Sequence, residues 1–476
     1  MLFNSFEFLL FFIIVSITYF AFPHKYRWFL LLAASCYFYA AFVPIYILIL
    51  LLTILIDYFA GIYIEKAKQE HKKRVLLISI IANVSVLAFF KYFNFFIENI
   101  NALYSVIGYE NKLSNLSIIL PIGLSFHTFQ AMSYTIEVYR GNQKAERHFG
   151  LYALYVMFFP QLVAGPIERA SHLLPQFYKK QFFNYDKVQS GLSLMLWGFF
   201  KKIVIADRLA IVVNEIYNNP NDYHGLTLVV GTVFFAFQIY CDFSGYSDIA
   251  IGCARVLGFD LMKNFNYPYF SKSISEFWKR WHISLSTWFR DYVYIPLGGN
   301  RTVKWRWYYN LFITFLISGL WHGANWTFII WGAIHGVFLI LEMLTNKNNF
   351  PKTNFINGLL MLKTFVFICF GWIFFRANSI EDALSIISSI FDFKNYSLSQ
   401  LSFSVIPLAR NTVFSIDIFL SYVVIVFLIL AEYFFSYQFN FEKLHYRYKL
   451  FIYVFGILSI LLLGAFEKNE FIYFQF

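Results

Sequence analysis

Two histidines lie thirteen residues apart in an apolar stretch, SGLWHGANWTFIIWGAIHG, at residues 318–336. An imidazole is costly to bury in hydrocarbon, so His322 and His335 each need a polar partner or a chemical role. On one unbroken helix they would be separated by about 20 Å of rise and would face nearly opposite directions. Unless a break at Gly323 folds the segment back, they cannot share a proton or a metal, and we do not expect them to act as a pair.

A third histidine, His282 in RWHISLS, is the better partner for His322. A histidine in this polar, aromatic segment could meet one at a helix break inside a cavity. The imidazole pKa of about 6.5 suits proton transfer near neutral pH. Residue type alone leaves a structural role open for His282, His322 and His335, with each ring bonded to a carbonyl. Metal binding by the three is disfavoured because no HExxH or acidic helper spacing is present.

Two aspartates, Asp242 and Asp248, lie in the apolar run QIYCDFSGYSDIAIG at residues 238–252. Ionisable residues inside membrane spans usually face the interior of the helix bundle. At six residues apart they fall on different faces of one helix. We expect them to hold helices together through Ser, Tyr or backbone partners, with a direct acid–base role as the alternative. The neighbouring Ser244-Gly245 lacks the GxSxG elbow of a serine hydrolase.

The composition is that of a membrane protein. The 476 residues are 59% hydrophobic and only 14% charged, against about 25% charged in soluble domains. The first apolar run, residues 2–22, lacks a basic n-region and a cleavage site, which predicts a spanning helix and no cleaved signal. The four cysteines show no CxxC spacing, which predicts buried thiols. We attribute the net charge of +11 to cytoplasmic loops and expect no nucleic-acid binding.

Long uncharged runs predict an all-α polytopic protein. A span needs about 20 apolar residues, and some runs are shorter or re-entrant, so we predict about 11 to 13 transmembrane or re-entrant helices. The candidate segments are 2–22, 28–43, 45–64, 75–97, 116–138, 150–168, 188–212, 226–257, 308–321, 324–345, 358–376, 415–437 and 449–466. The basic loops between them should be cytoplasmic, which places both the N-terminus and the C-terminus outside.

The middle of the chain, residues 258–307, is polar and aromatic at once. Ser273 followed by Glu276 forms a capping-box pattern, which predicts a helix start. We predict one amphipathic helix at the cytoplasmic interface, with three basic residues largely off its apolar face. That face consists of Phe277, Trp281, Leu285, Trp288 and Tyr292, and the basic residues are Lys279, Arg280 and Arg290.

Two segments, residues 277–300 and residues 318–336, resemble the core of the membrane-bound O-acyltransferase (MBOAT) family. The likeness is strongest to its bacterial branch of alginate and peptidoglycan O-acetyltransferases. LPIGLSFHTFQAMSYTIEVYRG, FPQLVAGPIER and QIYCDFSGYSDIAIG match in the same order. The resemblance implies a single domain, 1–476, folded as a helical ring around a central tunnel. Its parts would be N-terminal helices (1–115), a catalytic core (116–345), C-terminal helices (346–466) and an external aromatic tail (467–476).

The resemblance also implies residue roles. It makes His322 the main catalytic residue and His282 its partner, and it makes Tyr473 in the terminal FIYFQF an acyl carrier. An interfacial anchor is the alternative for this aromatic tail. We expect His335, Trp321, Asp242 and Asp248 to support the site, and Lys279, Arg280 and Arg290 to bind an anionic donor.

The implied activity is an O-acetyltransferase of the bacterial inner membrane. It would move an acetyl group from a cytoplasmic thioester, such as acetyl-CoA, across the membrane to an exported alginate-like polysaccharide or peptidoglycan. We expect no bound cofactor or metal, and an external SGNH-hydrolase-like acetyltransferase as partner. D-alanyl or other acyl transfer stays open, as does a scaffold for an external enzyme. A non-catalytic transporter is disfavoured because the sequence shows no two related halves.

Overall fold

A computed structural model describes residues 1–109, 112–117, 120–163, 165–345, 353–402, 412–437, 445–466 and 471–472. Every regular element in these ranges is helical. The α-helices are α1 Phe6–Ala21, α2 His24–Ala40, α3 Tyr46–Lys66, α4 Gln69–Val106, α5 Leu124–Arg140, α6 Phe149–Met157, α7 Phe159–Leu162, α8 Ala170–Tyr178, α9 Tyr185–Phe199, α10 Asp207–Asn218, α11 Leu226–Val256, α12 Ile274–Arg280, α13 Ile283–Phe289, α14 Lys304–His322, α15 Trp326–Thr345, α16 Asn354–Arg376, α17 Ile380–Phe391, α18 Thr412–Tyr437 and α19 Tyr446–Leu463.

Seven of the described helices, in whole or in part, are long and apolar enough to cross a membrane. Among them α11 is 83% buried over its most apolar window, whereas α19 is 6% buried. The first therefore carries its polar residues inside the protein, and the second presents its side chains outward. This architecture confirms the prediction of an all-α polytopic membrane protein. The seven segments are Tyr46–Lys66, Gln69–Val106, Leu226–Val256, Trp326–Thr345, Asn354–Arg376, Ile418–Phe435 and Tyr446–Leu463.

The chain divides into two compact units. The first contains residues 1–195 and 249–262. Within it, the buried carboxylate of Asp57 on α3 accepts hydrogen bonds from Ser79 at 2.5 Å and Asn83 at 2.9 Å, both on α4. These bonds satisfy a polar group that would otherwise destabilise an apolar helix pair. The predicted span 116–138 begins as a helix only at Leu124, after Gly123 in the left-handed conformation.

The second unit contains residues 196–248 and 263–476, and all predicted site residues belong to it. Helices α14 and α15 form a tight hairpin in which two glycines permit close backbone approach. A Cβ atom at Gly319 would lie 2.3 Å from the carbonyl oxygen of Phe328, and one at Gly332 would lie 2.3 Å from that of Phe315. Larger side chains would force these helices apart.

The predicted amphipathic helix is present but broken, so the expectation of one continuous helix was wrong. Ser273 Oγ accepts the Glu276 N–H at 3.0 Å, as the capping pattern predicts. The chain then leaves the helix at Trp281 and His282, and restarts as α13. The sequence does not predict the break, because Trp281 at the break and Leu285 after it are both buried. The spacing of apolar residues therefore continues as it would in an unbroken helix.

Candidate functional site

His322 is the last residue of α14, at the turn of the hairpin. Its imidazole is buried and packs edge-on against the indoles of Trp321 and Trp331, with ring centroids 4.9 and 5.0 Å apart, and against Phe375 at 5.4 Å. The helix ends here because Gly323 adopts an extended backbone. Three aromatic rings fix the position of the His322 ring. Because α14 ends at His322, no further turn of that helix follows this residue.

His335 lies on α15 and is fully buried. Its ring packs on Trp331 and on Trp278, each with centroids 5.0 Å apart. The hairpin thus folds residues 318–336 back at Gly323. Both His322 and His335 contact the same indole, that of Trp331. Neither ring nitrogen of His335 has a hydrogen-bond partner among the described residues. Its surroundings fit the supporting role predicted for it, with Trp331 as the link to His322.

His282 occupies the break between α12 and α13, with φ of 43° and ψ of 55°. This left-handed conformation is strained for a residue with a side chain, and such strain persists where the surroundings enforce it. Two contacts with the loop residue Asn264 help to hold this conformation. Its backbone carbonyl accepts the Ile283 N–H at 2.8 Å, and its side-chain Oδ1 lies 3.1 Å from His282 Nδ1.

The His282 ring is enclosed by apolar groups. It is 1% exposed and meets Phe243 on α11 edge-on at 4.5 Å. His282 lies between α12 and α13, outside the seven candidate spans, and burial lowers its pKa well below the ordinary value for histidine. The ring is therefore neutral near neutral pH, with one nitrogen protonated and the other carrying a lone pair.

Two adjacent lysines pair with the predicted aspartates. Lys201 and Lys202 lie in a π-helical segment, Phe200–Ala206, between α9 and α10. Lys202 Nζ lies 2.7 Å from Asp242 and 2.8 Å from Asp207, whereas Lys201 Nζ lies 2.7 Å from Asp248.

Neither lysine was predicted as a partner of the aspartates. The signal that could have found them is the pair KK inside the apolar run FFKKIVIAD. The aspartates hold helices together as predicted, but mainly through these cations rather than through Ser or Tyr. Lys201 also donates to Ser244 Oγ at 2.8 Å.

Replacement of Lys202 by methionine should destabilise the protein strongly. It would leave Asp207 and Asp242 as buried carboxylates without their shared cation, which costs about 3–5 kcal/mol. Thermal unfolding in detergent should show a clear fall in midpoint. The matched control is Lys187→Met, because Lys187 pairs with the exposed Asp260 at 3.4 Å and such surface pairs contribute about 0–1 kcal/mol. Equal midpoints for the two variants would contradict a structural role for the cluster.

The C-terminal tail reaches this charged cluster. The backbone N–H of Ile472 donates to Asp242 Oδ2 at 2.7 Å, and Phe471 packs on Phe243 and Tyr246 with centroids 5.6 and 4.6 Å apart. Both tail residues are buried. Residues 471–472 are therefore held inside the protein, with the Ile472 backbone bonded to the carboxylate of Asp242. Tyr473 lies outside the described residues.

A cavity of about 700 Å³ lies among α12, α13, α14 and α15. Its wall includes Lys279 and Arg290, two of the three predicted donor-binding cations, and the third, Arg280, is not among its lining residues. Arg280 pairs instead with Glu276 at 2.6 Å. Ile283, which follows His282 directly, and Ser318, one helical turn before His322, also line it. The cavity therefore reaches the residue after His282 and a residue one helical turn before His322, while neither histidine is among its lining residues.

The site offers no obvious metal centre. In the part of the chain that the structure describes, no three His, Cys, Asp or Glu side chains gather as a metal site requires. The four cysteines are free thiols. The arrangement can supply proton transfer by the buried imidazoles of His282 and His322, neither of which lines the cavity, and a cavity wall whose exposed cations can attract an anionic ligand.

Comparisons with known proteins show the family of this chain. Residues 147–381 match the model of the MBOAT, membrane-bound O-acyltransferase family, a range that includes His282, His322 and His335. The "Probable alginate O-acetylase AlgI" of Azotobacter vinelandii is 40% identical over 405 residues, covering 84% of this chain and 80% of that protein. The "Peptidoglycan O-acetyltransferase" of Helicobacter pylori is 38% identical over 403 residues, covering 78% and 75%. The "Teichoic acid D-alanyltransferase" of Bacillus subtilis is 31% identical over 281 residues, covering 55% and 70%.

Proposed function

Because this chain belongs to the membrane-bound O-acyltransferase family, and is thus an acyltransferase, we propose that it carries an acetyl group from a cytoplasmic thioester to an exported polysaccharide. The observation that carries this proposal is the cavity lined by Lys279 and Arg290, which also reaches Ile283, next to His282, and Ser318, one helical turn before His322. The names of the relatives with 38–40% identity supply the group and acceptor class, an acetyl group and an envelope polysaccharide. Acetyl-CoA is the donor that we propose.

The donor would enter through the cavity wall that carries Lys279 and Arg290. Both side chains are exposed, and Arg290 also pairs with Asp291 at 2.8 Å, so both cations are accessible to the phosphates of a CoA thioester. The remaining wall is mostly apolar and aromatic, with Trp278, Phe289 and Phe315 along it. Such a surface suits the uncharged pantetheine arm. We propose that the cavity mouth faces the cytoplasm and that both chain termini lie outside.

The chemistry would be two acyl transfers, the first from the thioester to a hydroxyl group and the second from the new ester to the acceptor. In the first, a hydroxyl oxygen attacks the thioester carbonyl while His322 removes the hydroxyl proton. The C–S bond breaks, the new C–O bond forms, and the proton passes from the imidazole to the departing thiolate. His282 orients the reactants. In the second transfer, an acceptor hydroxyl attacks the new ester and releases the first hydroxyl unchanged.

Tyr473 is our candidate for that first hydroxyl. The two residues before it are buried against Asp242, Phe243 and Tyr246, and Phe243 also contacts the His282 ring. Through Phe243, the anchored tail lies one side chain away from His282. The acetylated tyrosine would then pass its acetyl group outside, to the polysaccharide or to an external SGNH-hydrolase-like transferase.

Loss of the two cavity cations should weaken donor binding more than turnover. We expect Lys279→Ala/Arg290→Ala to raise the KM for acetyl-CoA roughly tenfold, the worth of about one charge-assisted contact. The kcat should change little, because these contacts hold donor and transition state alike. Initial rates of CoA release measure both constants. Arg280→Ala is the matched control, since Arg280 is not among the residues that line the cavity; an equal rise in KM there would contradict the assignment.

The acceptor is tested by chemical analysis of the envelope. A strain lacking this gene should lose O-acetyl groups from one exported glycan, measured by mass spectrometry of purified polysaccharides. Restoring the gene should restore them. Loss of D-alanyl esters with unchanged O-acetyl groups would instead favour the activity named for the Bacillus subtilis relative. Unchanged acylation of every envelope polymer would contradict the proposed function.

A further inference from the structure

Asn264 lies in the loop before α12 and is 1% exposed. Its side-chain oxygen is approached by three groups from the start of α13. The Ser284 N–H donates at 3.2 Å, the Ser284 Oγ–H donates at 2.9 Å, and His282 Nδ1 lies 3.1 Å away. Its Nδ2 donates to Ser247 Oγ on α11 at 3.2 Å. One buried amide therefore binds both the residue before α13 and the residues that begin it.

This pattern fixes the direction of the bond to His282. A backbone N–H can only donate, so the Asn264 atom that faces the Ser284 N–H must be the carbonyl oxygen rather than the amide nitrogen. A carbonyl oxygen can only accept. His282 Nδ1 must then carry the hydrogen of this bond. In a neutral imidazole with Nδ1 protonated, Nε2 carries the lone pair.

We propose that Asn264 is a positioning residue that holds His282 in the Nδ1–H tautomer, so that Nε2 serves as a hydrogen or proton acceptor. The assignment rests on the proposed function of His282 and narrows it. A ring in this tautomer cannot donate a hydrogen bond from Nε2 to a thioester carbonyl. It can accept one from an attacking hydroxyl, so His282 orients the nucleophile rather than polarising the donor.

Asn264 also bonds the backbone that follows the strained residue His282. The Asn264 carbonyl accepts the Ile283 N–H at 2.8 Å, and its side chain accepts the Ser284 N–H. These are the first two backbone donors of α13, which no carbonyl of that helix can satisfy. Asn264 therefore caps α13 in place of the N-cap residue of that helix, His282. The φ of 43° at His282 directs the His282 side chain toward the amide of Asn264.

The tautomer is measurable without any activity assay. In protein labelled with ¹⁵N in its histidine rings, the His282 signals are identified by their loss in His282→Gln. Solid-state NMR should show Nδ1 protonated and Nε2 unprotonated in the wild type. Asn264→Leu should shift the proton toward Nε2, and Asn264→Asp should keep it on Nδ1, because a carboxylate also accepts. A wild-type ring protonated at Nε2 would overturn the inference.

Activity supplies the second readout. Asn264→Leu should lower CoA release about 10- to 100-fold, as loss of a partner that orients a histidine commonly does, whereas Asn264→Asp should restore most of it. Asn266→Asp is the matched control, because Asn266 lies on the same loop and accepts from the exposed Lys263 at 2.8 Å. If Asn264→Leu fails to fold, the wild-type and Asn264→Asp spectra decide the question.

The two proposals fail in different ways. Full activity in His282→Gln would contradict the role of His282 in transfer, while the tautomer measured by NMR would stand. Conversely, an inactive His282→Gln together with a fully active, correctly folded Asn264→Leu would leave the proposed function intact and refute the positioning role of Asn264.

Discussion

Replacing His322 with alanine should abolish polysaccharide O-acetylation while leaving the protein in the membrane. The substitution removes the group that takes the hydroxyl proton, and loss of such a group costs about 10²- to 10⁴-fold in rate. The helix should survive, because His322 is the last residue of α14 and the hairpin is held by Gly319 and Gly332 upstream and downstream of it. The measurement is the O-acetyl content of the glycan from complemented deletion strains.

The control for this variant is another histidine in the same chain. His71 lies on the exposed start of α4, so His71→Ala removes an imidazole without touching the site. Immunoblots of the membrane fraction establish equal amounts of each protein. Normal acetylation by His322→Ala, at a protein level equal to that of His71→Ala, would refute the catalytic assignment.

Replacing Tyr473 with phenylalanine should reduce acetylation to the level of a strain without the gene. The change removes one hydroxyl and keeps the ring, so Phe471 and Ile472 should stay anchored against Asp242. The first acyl transfer would then have no tail hydroxyl to accept the acetyl group. Mass spectrometry of the C-terminal peptide of wild-type protein, isolated with its donor, should show one added acetyl group on Tyr473.

Tyr446→Phe controls for the loss of a tyrosine hydroxyl, because Tyr446 is exposed at the start of α19. It should acetylate the glycan as the wild type does. Unchanged acetylation in Tyr473→Phe would assign the tail an anchoring role only, and the attacking hydroxyl would then belong to the polysaccharide itself.

Much of the helical architecture could be predicted because it depends on local apolar runs. The predicted spans 45–64 and 324–345 differ from α3 and α15 by at most two residues at either end. The capping pattern at Ser273 also predicted where α12 begins. These features depend on residues within one element, and hydrophobic length and capping chemistry are visible there without any knowledge of the fold.

What escaped prediction depends on contacts between distant segments. Lys202 and Asp242 are forty residues apart, and nothing in either segment indicates that one neutralises the other. The break at His282 is held by Asn264, one of several polar residues in an irregular loop. Sequence periodicity could not reveal it, because the apolar face continues across the break. The burial of Ile472 could not be predicted either, because its partner, Asp242, lies 230 residues upstream.

The most direct test of the proposed function is whether the purified protein cleaves acetyl-CoA in a His322-dependent way. Release of the free CoA thiol can be followed with a thiol reagent, for wild type and His322→Ala in parallel. We predict release at least stoichiometric with the wild-type protein and none above the uncatalysed background with the variant. No release by the wild type, or equal release by the two proteins, would contradict the assignment.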